Sequence, residues 1–200
     1  MLYYERKLKK RGYQLIIGVD EVGRGPLAGP VVAAAVTLKT ARFKNRIDDS
    51  KKLTVLQREK SFAEIIQKAV FGVGIIHEKI IDRVNILVAT RLAMEEAIAA
   101  LRQKLGNCGK HKVHVLIDGN VNLDIDVATT NIIKGDSRSK SIACASILAK
   151  VIRDHIMLSY DKKYPQYGFF RHKGYPTRSH RLALARFGPS GIHRMSFYGV

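Results

Sequence analysis

Four carboxylates stand where apolar runs give out. Asp20 and Glu21 follow the run LIIGV at 15–19, Asp118 follows VHVLI at 113–117, and Asp136 closes a β-rich stretch just before a helical one. Each has an ordinary structural reading when taken alone: Asp20 and Glu21 as a turn, Asp118-Gly119-Asn120 as a turn signal, Asp136 as a helix cap. Their shared context carries the chemistry. In an open sheet the ends of neighbouring strands line one crevice, so acids far apart in sequence can converge there. Crowded carboxylates repel one another unless a cation sits among them, and oxygen donors suit Mg²⁺ or Mn²⁺. Asp20, Glu21, Asp118 and Asp136 therefore form a candidate metal and catalytic set. One geometric difficulty attends the first pair. Adjacent residues on a regular strand point to opposite faces, so Asp20 and Glu21 serve one site only where the strand bends or ends. Gly23 and Gly25 make such a break feasible.

The remaining reactive residues offer no comparable set. His77, His111, His114, His155, His172, His180 and His193 show no paired metal spacing and receive no catalytic role. Cys108 and Cys144 lack a CxxC spacing, which argues against a disulfide framework or structural zinc and fits a reducing cytosol. Gly72-Val73-Gly74 reads as packing on a strand.

The carboxylates need a sheet to gather them, and the pattern supplies one. Residues 15–19 read as a buried strand and 30–38 (PVVAAAVTL) as a second, with GRGPLAGP as the turn that lets them pair. Residues 48–54 (DDSKKLT) form a polar loop able to cap the next helix, and 69–76 is another strand. From 84 to 105 the pattern is helical, with Leu87, Met94, Ile98, Leu101 and Leu105 near one face and Gly106 as a stop. Strands follow at 113–117 and 126–133, then a helix over 139–160 whose Ala143, Cys144, Ala145 and Ser146 let it approach a sheet closely. These elements predict a mixed α/β (α+β) domain covering residues 1–200, with the Pro- and Gly-containing end as a small appendage on the same core.

Charge points to the partner. Thirty-five Lys and Arg against seventeen Asp and Glu give a formal net charge of +18, which favours a polyanion through phosphate contacts and counterion release. The excess is asymmetric: no acid follows Asp161, whereas Lys162, Lys163, Arg171, Lys173, Arg178, Arg181, Arg186 and Arg194 do. That basic end reads as a nucleic-acid surface. No apolar stretch follows the basic N-terminus and none reaches a membrane-spanning length, so a cytoplasmic protein without a membrane partner is expected. A non-catalytic basic RNA-binding protein would explain the charge equally well, but not the four carboxylates.

Several long segments add a family resemblance. GVDEVGRGPLAGPVV at 18–32, DSKKLT at 49–54, LIDGN at 116–120, KGDSRSKSIACASILAKVIRD at 134–154 and YPQYGF…HKGYPT at 164–177 closely resemble bacterial ribonuclease HII, in order and over nearly the whole chain. The resemblance implies the ribonuclease H-like fold, a five-stranded mixed sheet flanked by helices, with about 160–200 closing over the duplex. It implies that Asp20, Glu21, Asp118 and Asp136 are the four active-site carboxylates, holding two Mn²⁺ or Mg²⁺ ions with substrate bound. It implies that the Gly23-Arg24-Gly25 turn contacts the 2′-hydroxyl and that Tyr175 stacks on the deoxynucleotide following the ribonucleotide. Lys51, Lys52 and Lys173 are read as phosphate contacts. The implied reaction is hydrolysis of the RNA strand of RNA–DNA hybrids and cleavage 5′ of ribonucleotides embedded in duplex DNA, leaving 3′-hydroxyl and 5′-phosphate, by a monomer. Asp154, ending AKVIRD, rivals Asp136 for the fourth position, but lies along a helix where an ion pair is the simpler role. Ribonuclease HIII, with its extra N-terminal domain, fits poorly because only about fourteen residues precede the first strand. The chain departs from the pattern in stopping soon after RMSF and in carrying Cys144 in a run of alanines.

Overall fold

A computed structural model describes residues 1–106 and 112–200; Cys108 and His111 lie outside the described residues. Its centre is a five-stranded sheet in the order β3-β2-β1-β4-β5, built from β1 (Leu15–Val22), β2 (Val31–Leu38), β3 (Ala69–Ile76), β4 (Val113–Asp118) and β5 (Ala128–Ile132). The first three strands are antiparallel neighbours, and β1, β4 and β5 run parallel. The opening hairpin and the mixed sheet are as the residue pattern predicts.

Helices cover both faces, and β2 records it in its side chains. Val31, Ala33 and Ala35 pack with Met94, Ala97, Ile98 and Leu101 of α4 (Ile86–Leu105). The alternate residues Val32, Ala34 and Val36 pack with Ala143 to Ala149 of α5 (Lys140–Lys163) and Ile65 of α2 (Val55–Lys68). A strand covered on both faces is apolar throughout, not alternating. Glycines set the spacing between layers. A Cβ on Gly72 or Gly74 would lie 2.1 or 2.0 Å from a carbonyl oxygen of α4, and one on Gly18 2.3 Å from the Ser141 carbonyl carbon of α5. The Gly72-Val73-Gly74 pattern is therefore packing, as expected.

Capping explains where the helices start. Thr54 accepts from the Gln57 amide at 3.2 Å while Gln57 Oε1 accepts from the Thr54 amide at 2.9 Å, so the polar loop closes α2 with a reciprocal cap. The helix predicted over 84–105 is broken at its start. Asn85 takes φ 70°, separating α3 (Glu78–Val84) from α4, and its side chain accepts from the Leu87 and Val88 amides. Asparagine tolerates this conformation better than most residues. The N-terminal lead-in is also a helix, α1 (Tyr3–Lys10). Its buried Glu5 accepts from Ser139 Oγ, Ser141 N and Ser141 Oγ at 2.7, 3.0 and 2.9 Å, docking α1 on the start of α5. After α5 the chain forms two short helices, α6 (Phe169–His172) and α7 (Arg178–Phe187), around Tyr167, Phe169, Leu184 and Ile192. No helix among the described residues is long and apolar enough to cross a membrane.

Candidate active site

The parallel pair β1 and β4 sets two of the carboxylates side by side. Val19 is opposite Ile117 in the register, so Asp20 and Asp118 follow at adjacent strand ends. Both alternate with residues of the α4 face and so point toward α5. Asp136 arrives from the turn between β5 and α5. Lys134 turns this segment with φ 56°, and Gly135 donates its amide to Asp118 Oδ1 at 2.6 Å. A Cβ on Gly135 would meet Ile142 Cδ1 at 2.6 Å and Asp118 Oδ1 at 3.1 Å, so the close approach depends on glycine. One oxygen from each of Asp20, Asp118 and Asp136 lies within 4.8 Å of the others.

Glu21 stands apart from this trio. The strand runs on to Val22 instead of ending at Asp20, and Glu21 is not among the three carboxylates that approach within 4.8 Å. It remains in the electrostatic field of Asp118 and pairs with Arg24 at 3.4 Å. Asp154, the rival for the fourth position, lies on α5 in an ion pair with Lys150 at 2.7 Å.

The electrostatics are those of a site built for a cation. Burial, then repulsion from Glu21 and Asp118, holds the Asp20 carboxyl well above its usual range. Burial and the Asp118 charge raise Glu21 against the pull of Arg24. Burial, with Asp118 and Asp49, raises Asp136 against Lys51. Burial alone would lower the Lys51 ammonium, yet Asp49, Asp136, Asp20 and Asp118 together raise it. Lys51, Lys52, Lys134 and Asp49 border the same cleft of about 390 Å³ as Asp118 and Asp136. The donors are all hard oxygens, without a thiolate or imidazole among them, and this composition fits Mg²⁺ or Mn²⁺. Two serines beside Asp20 are not legible as site residues in the sequence: Ser146, whose hydroxyl favours the Asp20 carboxylate, and Ser50, whose hydroxyl meets that of Ser146 at 2.9 Å.

The remaining predicted residues separate into a front and a back. Arg24 and Gly25 are exposed on the loop after β1, and the exposed Tyr175 ring lies next to Gly25. Gly23 is buried at φ +98°, where a Cβ would lie 2.3 Å from Arg153 Nε. Lys52 is exposed and lies 3.6 Å from Asp48. Lys173 is half-buried, and its ammonium is turned onto the Phe170 carbonyl.

Behind the loop lie two fully buried arginines. Arg153 donates to Pro30 O, Lys173 O and Ala28 O at 2.9, 2.9 and 3.1 Å. Arg194 donates to Gly23 O, Arg24 O and Gly29 O at 2.6, 3.1 and 2.7 Å through its terminal nitrogens. Arg194 is thus no part of the basic surface expected of the tail, whereas Lys162, Lys163, Arg171, Arg178, Arg181 and Arg186 are exposed. A guanidinium can be buried when its fork meets several carbonyls at once. Arg153 had a signal in the sequence, being a charged residue four positions after Ala149 on the apolar stripe of α5. Arg194 had none.

Residues 17–200 match the family model described as Ribonuclease HII. The chain belongs to the ribonuclease HII family. It is 53% identical to Ribonuclease HII of Ruminiclostridium cellulolyticum, over 98% of this chain and 75% of that one. It is 50% identical to Ribonuclease HII of Geobacter sulfurreducens, over 98% and 88%. Among solved structures, the ribonuclease H2 of Pyrococcus horikoshii superposes with a TM-score of 0.65 at 23% identity, covering 93% of this chain and 95% of that one. Bst-RNase HIII in complex with Mn²⁺ gives 0.65 at 17% identity, covering 92% and 67%. At these identities the solved structures speak to the fold, which is that of the ribonuclease H2 and HIII enzymes. As a ribonuclease HII, the chain is an endoribonuclease of a metal-dependent family that acts on RNA–DNA hybrids, which removes the non-catalytic RNA-binding alternative.

Proposed function

We propose that this endoribonuclease cuts 5′ of ribonucleotides embedded in duplex DNA, as well as the RNA strand of hybrids, leaving 3′-hydroxyl and 5′-phosphate ends. Asp20, Glu21, Asp118 and Asp136 are its catalytic carboxylates and metal ligands. The observation that carries this reading is the convergence within 4.8 Å of three carboxylates, Asp20 and Asp136 buried and Asp118 half-buried, at one end of the parallel strands, with no protein cation inside the set. Bound Mn²⁺ or Mg²⁺, two ions when substrate is present, supplies charge stabilisation for the attacking and leaving oxygens of an in-line displacement.

The protein's share is to position charge. Asp118 is held by the Gly135 amide and Asp20 by the Glu21 amide at 2.7 Å, so their oxygens are oriented before substrate arrives. Lys51 stands at the edge of the cleft where a phosphate would lie, and Lys52 next to it reaches the flanking backbone. The Gly23-Arg24-Gly25 turn is narrow enough for its backbone to reach a 2′-hydroxyl. Tyr175 beside it offers a ring for the next base step, and the exposed bases of residues 160–200 extend the phosphate-binding surface over the duplex. Lys173, whose backbone carbonyl Arg153 holds, is a further phosphate contact. One copy carries all these groups, so a monomer suffices within a single catalytic domain spanning 1–200, and a reducing cytoplasm suits the buried Cys144 thiol.

The test is cleavage of a duplex containing one ribonucleotide, with Mn²⁺, Mg²⁺ or chelator present. A single cut 5′ of the ribonucleotide, with a ligatable 5′-phosphate and strict dependence on the cation, is expected. Cleavage confined to continuous hybrids would remove the junction reading and leave only the hybrid activity.

A further inference from the structure

Away from the carboxylates, three histidines that share no sequence spacing come together under Tyr175. His172 and His180 stack with ring centroids 4.4 Å apart and planes 15° from parallel. His180 Nε2 lies 3.0 Å from His193 Nε2. All three are buried, His180 completely.

Their hydrogen-bond partners fix every proton. A backbone amide can only donate, and a carbonyl can only accept. The Ser190 amide meets His193 Nδ1 at 2.8 Å, so that nitrogen accepts and the proton of His193 is on Nε2. His193 Nε2–H then donates to His180 Nε2, which leaves the His180 proton on Nδ1. That nitrogen donates to the Tyr175 carbonyl at 3.0 Å. His172 is set in the same way: Nδ1 accepts from the Gly174 amide at 3.2 Å, and Nε2 donates to the Tyr167 carbonyl at 2.9 Å. The chain of bonds runs in one direction, from the Ser190 amide through two neutral imidazoles to the backbone of Tyr175.

We propose that His180 and His193, oriented by Ser190, are positioning residues that fix the Tyr175 backbone and so aim its ring at the nucleotide following the ribonucleotide. This rests on the role given to Tyr175 above. The geometry around Tyr175 makes the need plain. Its peptide follows two left-handed residues, Lys173 at φ 51° and Gly174 at φ 86°, and its partly exposed ring has the Arg153 guanidinium 5.9 Å from its centroid, so the backbone decides how the ring is presented. Its carbonyl is pinned by His180 and by the Thr177 amide at 2.8 Å, and its amide by the His172 carbonyl at 2.9 Å.

A fourth proton breaks this chain of bonds, even though Ser190 Oγ, 2.8 Å from His193 Nδ1, can accept one there. On His193 Nδ1 it would face the Ser190 amide, and on His180 Nε2 it would face His193 Nε2–H. Burial, then the neighbouring His180, pushes the His193 imidazole down to about 4. The other groups facing the trio are Asp161 and Lys173 on the His172 side and Tyr167, whose ring centroid is 5.0 Å from that of His193. An unfolded histidine titrates near ~6.5, so protons bind preferentially to the unfolded segment between about 6.5 and about 4. The stability contributed by the neutral chain is complete above that window and is lost as pH falls through it.

Nitrogen-15 spectra of the full chain at neutral pH test the bonding directly. They should give an Nδ1–H tautomer for His180 and Nε2–H tautomers for His172 and His193; Nε2–H on His180 overturns the proposal. The functional arm is the ratio of cleavage rates on a single-ribonucleotide duplex and on a continuous hybrid, which cancels effects on the shared metal site. Tyr175→Ala should lower it about fivefold or more. His193→Phe keeps a ring but removes both nitrogens, and should lower the ratio in the same direction with the hybrid rate retained. The wild-type ratio should fall as pH approaches about 4, where His193 takes up a proton, which keeps a test available if His193→Phe does not fold. A ratio unaffected by His193→Phe or by pH, with Tyr175→Ala lowering it, overturns the positioning role. A ratio unaffected by Tyr175→Ala refutes the role of Tyr175 itself, and the positioning role falls with it.

Discussion

The carboxylate cleft and the buried arginine pair are opposite solutions to placing charge inside a protein. Asp20, Asp118 and Asp136 are crowded at one end of the sheet with no guanidinium or ammonium among them, and Asp20 and Asp136 are held above the usual carboxylate range. Arg153 and Arg194 are buried more completely, yet each is enclosed by backbone carbonyls. The first arrangement is incomplete until something positive arrives from outside. The second is already complete and serves to hold a loop. Burial of charge therefore separates a site from a scaffold only when the partners are counted.

That contrast is broken most severely by removing one member of each region. Asp20→Asn should cut cleavage by about 10²–10³-fold, while in chelator its melting temperature should rise by about 2–4 °C as repulsion is relieved. A fall in that temperature would mean that Asp20 is structural. Arg194→Met should cost about 3 kcal/mol in urea unfolding, because the carbonyls of Gly23, Arg24 and Gly29 lose their donors, and added cation should not change the loss. Arg194→Lys should recover little of it, since a lysine cannot fork across three carbonyls. Wild type should gain about 2.7 kcal/mol when Mn²⁺ is present at a hundred times its dissociation constant, and Asp20→Asn should lose most of that gain. Asp154→Asn marks the small end of the scale. Cleavage should stay within about twofold and stability within ~1 kcal/mol, as for an ordinary i,i+4 pair; a large loss of cleavage would bring Asp154 back into the site.

How much of this was written in local sequence depends on the kind of interaction. Strand β3 at 69–76 and the hairpin before it were readable because apolar runs and turn residues act within a few positions. The placement of Asp118 followed from the same logic. Glu21 was harder, because its direction depends on whether β1 ends at Asp20 or runs on to Val22. The break at Asn85 was hidden inside a continuous helical pattern, since one left-handed residue does not disturb apolar periodicity. Helix α1 is held by Glu5 reaching Ser139 and Ser141, a contact across more than 130 positions that no window could show. Arg194 and the three histidines belong to the same class. Their roles come from carbonyls and rings that meet only after the chain has folded.

The bond from Arg194 to the Gly23 carbonyl spans 171 positions, and this separation bears on the birth of the protein. Synthesis proceeds from the N-terminus at about 5–20 residues per second. The loop that carries Gly23-Arg24-Gly25 thus leaves the ribosome many seconds before the arginine that braces it. All four carboxylates emerge earlier too, so a nascent chain can gather its acids while its substrate-facing loop is still unbraced. The loop is completed only once Arg194 has emerged, which delays selective cutting behind assembly of the acids.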